Sequence, residues 1–532
     1  MDDYLHLNLI AEHSEDLSAI SYNTFSTSDI PHSMLREILP WWTDPNFKFH
    51  YFRPVSSLSI ALDFMVWGKD PQGYHYTCLA LHCLCAILVY ALGLRLGLHK
   101  GYALFAALIS GLHFNHLFSV SWICNRDTTL GAIFLVSSVL CFLEYLRVIS
   151  SRRFVYLGIS LLLFILGVLS KENVALEPAV LFFIVAVRFT HCWKGTWKSS
   201  ELVPVIPFFL FSLIYSCWYA LSGHGVSTGY FQVSPDKGLL GNASIIGRNL
   251  FLYLIALVYY WPPEFNLTAT KWPLWALWSF LLALPVGLML WKRNAFRSIP
   301  NLWVFLAWTL LFLVTPLCFT PLGRLLYIST IGYGLLIACL FQEILRSVQK
   351  RTWKLCLWTV LFLYFVVVPF ILDSASAALL AKKGDEIHLA LERALADVEK
   401  GLPEDGEIFL INVPDPVSVY VAGAVHHFHT DGKGKKVFAL GNVPEVPSLE
   451  KSGDSALRLI RDKGIINLDV SFPIISLSEG REVRMPSFVV TVERIGEGKP
   501  THVLFKFSRP LNCEAYAFLT FADGKAARIR FH

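Results

Sequence analysis

The residues with the clearest chemical potential are charged side chains at the ends of apolar stretches. They comprise two adjacent carboxylates at the chain start, two cation–carboxylate pairs and one further arginine: Asp2, Asp3, Arg126, Asp127, Lys171, Glu172 and Arg324. A guanidinium or ammonium group at a membrane edge can bind phosphate, and a neighbouring carboxylate can orient it. The pattern therefore indicates either phosphate chemistry or a purely structural role.

Each of these charges also has a structural explanation. Asp127, in WICNRDTTLGAIF, would lie in the first turn of a helix, where a carboxylate complements the helix dipole. Lys171, in LGVLSKENVALEPAV, can extend its ammonium group to the membrane interface. Arg324 can anchor a lipid headgroup instead of clamping a phosphate. Acids at a chain terminus, such as Asp2 and Asp3, are usually solvated.

Four histidines form a second candidate cluster. His75 and His82 are seven residues apart, a spacing that places both on one face of a helix. His113 and His116 come at the end of the next apolar stretch. Imidazoles on one side of a membrane can bind a metal ion or donate to phosphate, but a buried histidine is more often a hydrogen-bonded core residue. We expect the structural role first and keep the other as the alternative.

The composition is that of a polytopic membrane protein. Of 532 residues, 55% are hydrophobic and 16% are charged, and the mean hydropathy is +0.51. These values are too apolar for a soluble domain of this length. The net charge of +5 comes from short basic clusters between apolar runs. This distribution is typical of cytoplasmic loops and argues against a nucleic-acid partner.

The apolar stretches predict about 11 membrane spans. They cover residues 74–98, 101–122, 128–148, 154–170, 174–189, 202–221, 245–261, 272–291, 300–318, 325–345 and 355–372. The basic segments RVISSRRF, RFTHCWKGTWK, KRNAFR and RSVQKRTWK should face the cytoplasm. The acidic start, the loops with Arg126 and Lys171, and the carboxyl-terminal tail then lie on the external face.

One stretch conflicts with this topology. Either residues 222–261 contain a re-entrant or surface helix, or one basic loop is external. We favour the first alternative because HGVSTGYFQVSPDKGLLGN is rich in glycine and polar residues, which suits a segment that lines a cavity.

We expect three regions. Residues 1–73 form a first external loop with an acidic motif and amphipathic helices, since PHSMLREILPWWTDP and RPVSSLSIALDFMVWG suit short helices at a membrane surface. Residues 74–372 form the transmembrane module. Residues 373–532 form a soluble extracytoplasmic domain, α/β or mostly β, because DEIHLALERALADVEKGL has helical periodicity and EIFLINVPDP, FVVTVERIGEG and HVLFKFSRP are typical of strands.

Five motifs, in this order, resemble one family. They are FRPVSSLS, DPQGYHYTCLALHCLCAILVYAL, LHFNHLFSVSWICNRDTTLGAIF, LSKENVALEPAVLF and GRLLYISTIGYGLL. The chain resembles the tetratricopeptide-repeat-linked transmembrane O-mannosyltransferases and their bacterial relatives. These enzymes belong to the GT-C clan of glycosyltransferases that use polyprenyl-phosphate sugars. The resemblance implies a GT-C-like polytopic fold and an integral-membrane enzyme that moves a sugar, such as mannose, to an acceptor hydroxyl with inversion.

The resemblance also implies roles for individual residues. Asp2 and Asp3 match the acidic motif of the first external loop, so that one of them would be the catalytic base. They would also be the ligands of a divalent cation, Mg²⁺ or Mn²⁺, if one is used. The donor-phosphate contacts would be Arg126, Lys171 and Arg324, with Arg53 in reserve. Asp127, Glu172 and the four histidines would support them. The partners implied are a polyprenyl-phosphate-linked sugar, a protein or glycan acceptor and the bilayer.

Several positions depart from the family pattern. Phe118 stands where an acid is frequent, Gly323 precedes Arg324 where glutamate is usual, and Cys78 replaces an asparagine. In the clan, the acidic motif follows the first transmembrane helix. No apolar stretch precedes Asp2 here, and we expect that helix to be missing from this sequence. The tail has no tetratricopeptide repeats, which favours a bacterial branch and its inner membrane. The rival interpretations are a membrane transporter or flippase and a non-catalytic scaffold with an external binding domain.

Overall fold

The structure is a computed structural model that describes most of the chain. The described residues are 7, 10, 39–44, 48–192, 202–227, 232–260, 299–413, 422–423, 426, 430, 434–467, 475–522 and 525–531. The chain divides into two compact units. One comprises Phe52–Gly225 and Phe231–Ala377, and we call it the helical unit. The other comprises Met1–Tyr51, Val226–Tyr230 and Ala378–His532, and we call it the sheet unit.

In the described residues, the helical unit consists of apolar helices, several of which are joined by short connections. In chain order, the helices are α1 (Pro54–Trp67), α2 (Pro71–Arg95), α3 (Lys100–Gly111), α4 (Leu117–Ser121), α5 (Arg126–Arg147), α6 (Arg153–Val168), α7 (Glu177–Cys192), α8 (Ile206–Leu221), α9 (Gly238–Tyr259), α10 (Pro300–Val314), α11 (Tyr327–Ser347), α12 (Arg351–Phe362) and α13 (Val368–Glu399). The residues of α13 from Ala378 onward belong to the sheet unit. Short 3₁₀ turns at Phe114–His116, Ile123–Asn125, Glu172–Leu176, Thr315–Cys318 and Gly323–Leu326 connect several of them.

The described residues contain seven helices that are long and apolar enough to cross a membrane. They are Pro71–Arg95, Ile123–Arg147, Val203–Leu221, Pro235–Tyr259, Asn301–Cys318, Gly323–Ser347 and Arg351–Leu379. The number becomes eight if Lys100–Gly111 and Phe114–Ser121, which meet at a bend of 50°, form one span. The chain is therefore a polytopic α-helical membrane protein. The total of about 11 stays a prediction, because the stretch predicted at 272–291 lies outside the described residues.

Helix α11 is the central helix of this unit, and glycines let its neighbours approach. A Cβ atom on Gly334 would lie 2.7 Å from the backbone oxygen of Ala106 on α3. A Cβ atom on Gly332 would lie 2.8 Å from the backbone nitrogen of Thr309 on α10. Backbone atoms cannot yield as a flexible side chain can. Both positions therefore require glycine for the observed packing of α3 and α10 on α11.

The sheet unit contains two β-sheets that face each other. Its strands are β3 (Glu407–Leu410), β4 (Lys436–Ala439), β5 (Ser448–Lys451), β6 (Ala456–Ile460), β7 (Glu482–Arg484), β8 (Phe488–Gly496), β9 (Lys499–Phe507), β10 (Tyr516–Ala522) and β11 (Lys525–Ile529), while β1 (Lys48–His50) and β2 (Gly225–Ser227) form a separate pair. One sheet has the order β11-β10-β3-β4, with β3 parallel to both neighbours. The other is antiparallel in the order β5-β6-β9-β8-β7. The prediction of an α/β or mostly β carboxyl-terminal domain is confirmed.

The core of the sheet unit also includes a segment from the beginning of the chain. Trp41 and Trp42 are fully buried with the apolar residues of both sheets. The indole N–H of Trp41 donates to the carbonyl of Leu440 at 3.1 Å, and the amide of Ile475 donates to the carbonyl of Trp42. Buried tryptophans contribute large apolar areas to a core. Residues 39–44 are thus an integral part of this unit.

The first prediction tests the close contact between α3 and α11. Gly334→Ala should lower the free energy of unfolding by about 1–3 kcal/mol, because the added methyl group must displace the Ala106 backbone. Gly158→Ala is the matched control, since Gly158 lies on the exposed face of α6 with no atom within 4 Å of an added Cβ. It should be neutral or stabilising by up to about 1 kcal/mol. Thermal unfolding in detergent measures both, and equal melting temperatures would contradict the packing described.

Candidate active site

Helix α1 carries side chains from which the site is built. It begins after Arg53, with Pro54 in its first turn, and its terminal Gly68 has a φ of 56°. Its buried face carries Ser56, Ser57, Ile60, Ala61 and Asp63. The opposite face exposes Leu58, Leu62, Met65 and Val66. The polar side chains of α1 thus face protein, and its exposed side is apolar.

Four charged side chains from three separate segments form one ion network. The Asp127 carboxylate accepts from the Arg53 guanidinium at 2.5 Å and from the Lys171 ammonium at 2.7 Å. Arg53 also donates to both carboxylate oxygens of Glu172, at 2.9 Å from Nε and 2.5 Å from Nη2. Two cations and two carboxylates thus balance each other. This arrangement supplies the partners that a buried carboxylate such as Asp127 needs.

The backbone around Lys171 is held against α5 and α1. A Cβ atom on Gly131, one turn after Asp127, would lie 2.9 Å from the Cβ atom of Lys171. The hydroxyl of Ser56 donates to the carbonyl of Ser170 at 3.0 Å. Glycine at position 131 therefore lets the α6–α7 connection approach α5 closely enough for Lys171 to reach Asp127.

The charges of the network shift each other's pKa values. Burial alone would raise the pKa of Glu172, but Arg53 and Lys171 outweigh burial, so that this pKa lies below its ordinary value. Burial and Arg53 lower the pKa of Lys171, and Asp127 and Glu172 oppose this only in part. The stabilisation by Glu172 is present above the ordinary carboxyl pKa and is lost as pH falls through the lowered folded-state value.

Arg126 forms a second, separate pair with α1. Its guanidinium donates to the Asp63 carboxylate at 2.5 Å and to the carbonyls of Ser59 and Tyr74 at 3.2 and 3.3 Å. The Sγ atom of Cys78 lies 3.4 Å from the same Nη2 atom. Arg126 is only 1% exposed. Its charge is therefore enclosed by protein groups and holds the carboxyl-terminal part of α1 on α5.

Arg324 is placed differently from the other predicted cations. Its guanidinium carbon lies 4.1 Å from the ring centroid of Trp122, which precedes the 3₁₀ turn before Arg126, and the side chain is half-buried. Within the described part of the chain, no carboxylate lies at ion-pair distance from Arg324. A Cβ atom on Gly323 would lie 2.4 Å from the side-chain oxygen of Asn115. The glutamate usual at that position in the resembling family would displace Asn115.

Two of the four predicted histidines, His82 and His116, contact Tyr327, and His113 lies next to His116. The Tyr327 hydroxyl lies 2.6 Å from His82 Nδ1, and its ring stacks on His116 at 4.3 Å between centroids. His113 Nε2 lies 3.2 Å from the carbonyl of Leu257. His75 is on the same helix as His82 but is exposed. His113 and His116 are buried and His82 is partly buried, and each has a hydrogen-bond partner. The structural role of these histidines stays a prediction.

The described residues contain no group of three or more histidine, cysteine, aspartate or glutamate side chains arranged to hold a metal ion. Asp2 and Asp3, the predicted base and predicted metal ligands, lie outside the described residues. Their convergence with the cations stays a prediction.

Sequence reasoning missed the partner of Arg126. Asp63 is the single carboxylate in the apolar segment SSLSIALDFMVW. A lone charge on the buried side of an amphipathic helix was the available signal, because such a charge is costly unless it is paired.

The second prediction tests the balance of the ion network. Asp127→Asn should lower the free energy of unfolding by about 3–5 kcal/mol, because Arg53 and Lys171 then face each other with one carboxylate fewer. The double variant Asp127→Asn with Lys171→Met restores the balance and should be more stable than the single one. Glu343→Gln is the control, since it removes a partly exposed pair with Arg346 that contributes about 0–1 kcal/mol. Chemical unfolding in detergent measures these differences, and a less stable double variant would refute the argument.

Comparison with known proteins extends the resemblance. No protein-family profile matches the chain. Protein O-mannosyl-transferase Tmtc1 of Drosophila melanogaster is 27% identical over 122 residues, which cover 23% of this chain and 14% of that protein. The oligosaccharyltransferase AglB of Archaeoglobus fulgidus, solved with an inhibitory peptide and a dolichol-phosphate, has a TM-score of 0.44 and 11% identity over 84% of this chain and 61% of its own.

A second solved structure is the apo form of ArnT from Cupriavidus metallidurans. Its TM-score is 0.43, with 11% identity over 77% of this chain and 78% of its own. The chain thus spans a small part of its curated relative and about three fifths of the oligosaccharyltransferase. Its local sequence resembles an O-mannosyltransferase.

Proposed function

We propose that this chain is an integral-membrane glycosyltransferase that moves a sugar from a polyprenyl-phosphate donor to an acceptor hydroxyl. The observation that carries the proposal is the meeting of motifs that are far apart in the sequence. FRPVSSLS supplies Arg53, WICNRDTTLGAIF supplies Asp127, and LSKENVALEP supplies Lys171 and Glu172 to one network. The local similarity to a curated O-mannosyltransferase supports the same activity, with mannose as the proposed sugar.

The geometry supports different roles for the cations that were predicted to contact the phosphate. Arg53, Lys171 and Arg126 are each paired with a carboxylate, so that we assign them to positioning α1 and the α6–α7 connection. Arg324 has no such partner among the described residues, and its stacking on Trp122 fixes the direction of its guanidinium. We assign Arg324 to the donor phosphate. A preorganised cation at this place stabilises the charge that develops as the phosphate leaves.

The reaction requires one bond exchange and one proton transfer. The acceptor oxygen forms a bond to the anomeric carbon while the bond from that carbon to the phosphate oxygen breaks, and the electron pair leaves with the lipid phosphate. The acceptor proton passes to a carboxylate, for which Asp2 and Asp3 are the candidates. Attack opposite the leaving group inverts the anomeric carbon. Mg²⁺ or Mn²⁺ bound by these acids would add charge neutralisation at the phosphate.

The proposed location follows from the basic loops. With those loops in the cytoplasm, the site and the sheet unit lie on the extracytoplasmic face, and the chain belongs in a bacterial inner membrane. The acceptor is then a protein or glycan hydroxyl exposed on that side.

The third prediction tests Arg324. Arg324→Ala should reduce sugar transfer by about 10²- to 10³-fold, because the leaving phosphate loses a preorganised cation. Arg351→Ala is the control, since Arg351 is exposed at the start of α12 and takes no part in the site. Transfer of labelled sugar and release of polyprenyl phosphate are measured in membranes with equal amounts of each variant. Equal turnover in the two variants would refute the assignment, and absence of any transfer by the wild type with several donors would refute the function.

The fourth prediction tests the acidic start of the chain. Asp2→Asn or Asp3→Asn should abolish transfer without a change in expression, because the acceptor proton then has no base. Asp454→Asn changes an acid whose side chain is 93% exposed in the sheet unit, and it should leave transfer unchanged. Wild-type turnover in both amino-terminal variants would exclude these residues as the base.

A further inference from the structure

Arg248 is a second guanidinium that has no carboxylate partner among the described residues. It lies on α9, a helix long and apolar enough to cross the membrane, and is half-buried. Its Nη2 atom donates to the side-chain oxygens of Gln232 at 2.5 Å and Asn249 at 3.1 Å. Its Nε atom donates to the same Asn249 oxygen at 3.2 Å. Both partners are neutral amides, so the positive charge is held in place without being neutralised.

The groups that hold Arg248 are themselves fixed. The Asn249 side chain is fully buried and donates to the carbonyls of Leu317 and Phe319 at 2.8 and 2.9 Å. The backbone amide of Gln232 donates to the carbonyl of Cys318 at 2.8 Å. Asparagine and glutamine therefore orient the guanidinium from both sides. In the described residues, no hydrogen-bond acceptor is found for its Nη1 atom.

The same contacts connect Arg248 to the segment of chain that leads to Arg324. The segment 315–322, which Asn249 and Gln232 hold, leads directly to Arg324. The amide of Leu322 donates to the hydroxyl of Tyr253 at 3.3 Å. Tyr253 is five residues beyond Arg248 on α9, which corresponds to about 7.5 Å along the helix axis. A short stretch of backbone thus connects the segment that contacts Asn249 and Gln232 to Arg324.

We infer that Arg248, held by Gln232 and Asn249, binds the phosphate of the polyprenyl lipid together with Arg324. This inference rests on the proposed function. The donor is a phosphate diester with one negative charge, whereas the lipid phosphate that leaves is a monoester with a charge of about −1.5 to −2. One guanidinium matches the donor, and a second one matches the charge that appears as the bond breaks. The two guanidinium groups together therefore match the leaving phosphate better than the bound donor.

The fifth prediction separates these two contributions. Arg248→Met should lower kcat by about 10- to 100-fold, the loss typical of one charge-assisted hydrogen bond. The KM for the donor should change much less. The affinity of the detergent-solubilised protein for undecaprenyl phosphate should fall by a similar factor to kcat. Inorganic phosphate carries a charge similar to that of the lipid phosphate but has no lipid chain. It should inhibit sugar transfer by the wild type and should not inhibit transfer by the Arg248→Met variant.

A second variant protects the test against misfolding. Gln232→Glu places a carboxylate beside the Arg248 guanidinium without removing it, and it should cause the same loss of kcat and of undecaprenyl phosphate affinity. Arg248→Lys should retain part of both, and Arg351→Met is the control for loss of a distant positive charge. The melting temperature of each variant is measured alongside.

The outcomes are distinct. If Arg248→Met and Gln232→Glu bind undecaprenyl phosphate as the wild type does while Arg324→Ala does not, this inference is wrong and the proposed function stands. If Arg248→Met abolishes inhibition by inorganic phosphate but leaves the affinity for undecaprenyl phosphate unchanged, the site binds free phosphate and the inference is again wrong. If the wild type neither transfers sugar nor binds the lipid phosphate, the proposed function fails together with the inference.

Discussion

The candidate site depends on the burial of the Asp127 carboxylate. A buried carboxylate must be compensated, and Asp127 meets this requirement with Arg53 from the start of α1 and Lys171 from the α6–α7 connection. Because each cation belongs to a different segment, the charge requirement also fixes where those segments lie. Glu172 then balances the second cation. A single buried charge thus determines the positions of three parts of the helical unit.

This balance separates two kinds of cation. Arg53, Arg126 and Lys171 are paired with carboxylates, and these pairs connect α1 and the α6–α7 connection to α5. Arg248 and Arg324 are held instead by amide oxygens and by an aromatic ring, and neither has a carboxylate partner in the part of the chain that the structure describes. A phosphate site needs cations that have no carboxylate partner, and the cations paired with carboxylates hold the helices that present them.

Sequence patterns predicted the helices and several strands well, because hydrophobic periodicity and length determine them. The change in composition after residue 373 concealed the continuous helix that runs as far as Glu399. The segment SASAALLAKK itself favours helix. The segment KVFA is too short to show a period, so the parallel strand β4 was missed. The pair of Arg126 with Asp63 depends on how α1 docks, which no local pattern encodes.

The two tryptophans near the amino terminus restrict the topology of the whole chain. Trp41 is hydrogen-bonded to Leu440 inside one folded core, so both segments occupy the same aqueous compartment. A polypeptide that leaves a compartment and returns to it must traverse the bilayer an even number of times. The described residues contain seven long apolar helices, or eight with the bent pair, and the remaining crossings must bring the total to an even number. Every arrangement of the spans must therefore have an even number of membrane crossings between residues 42 and 440.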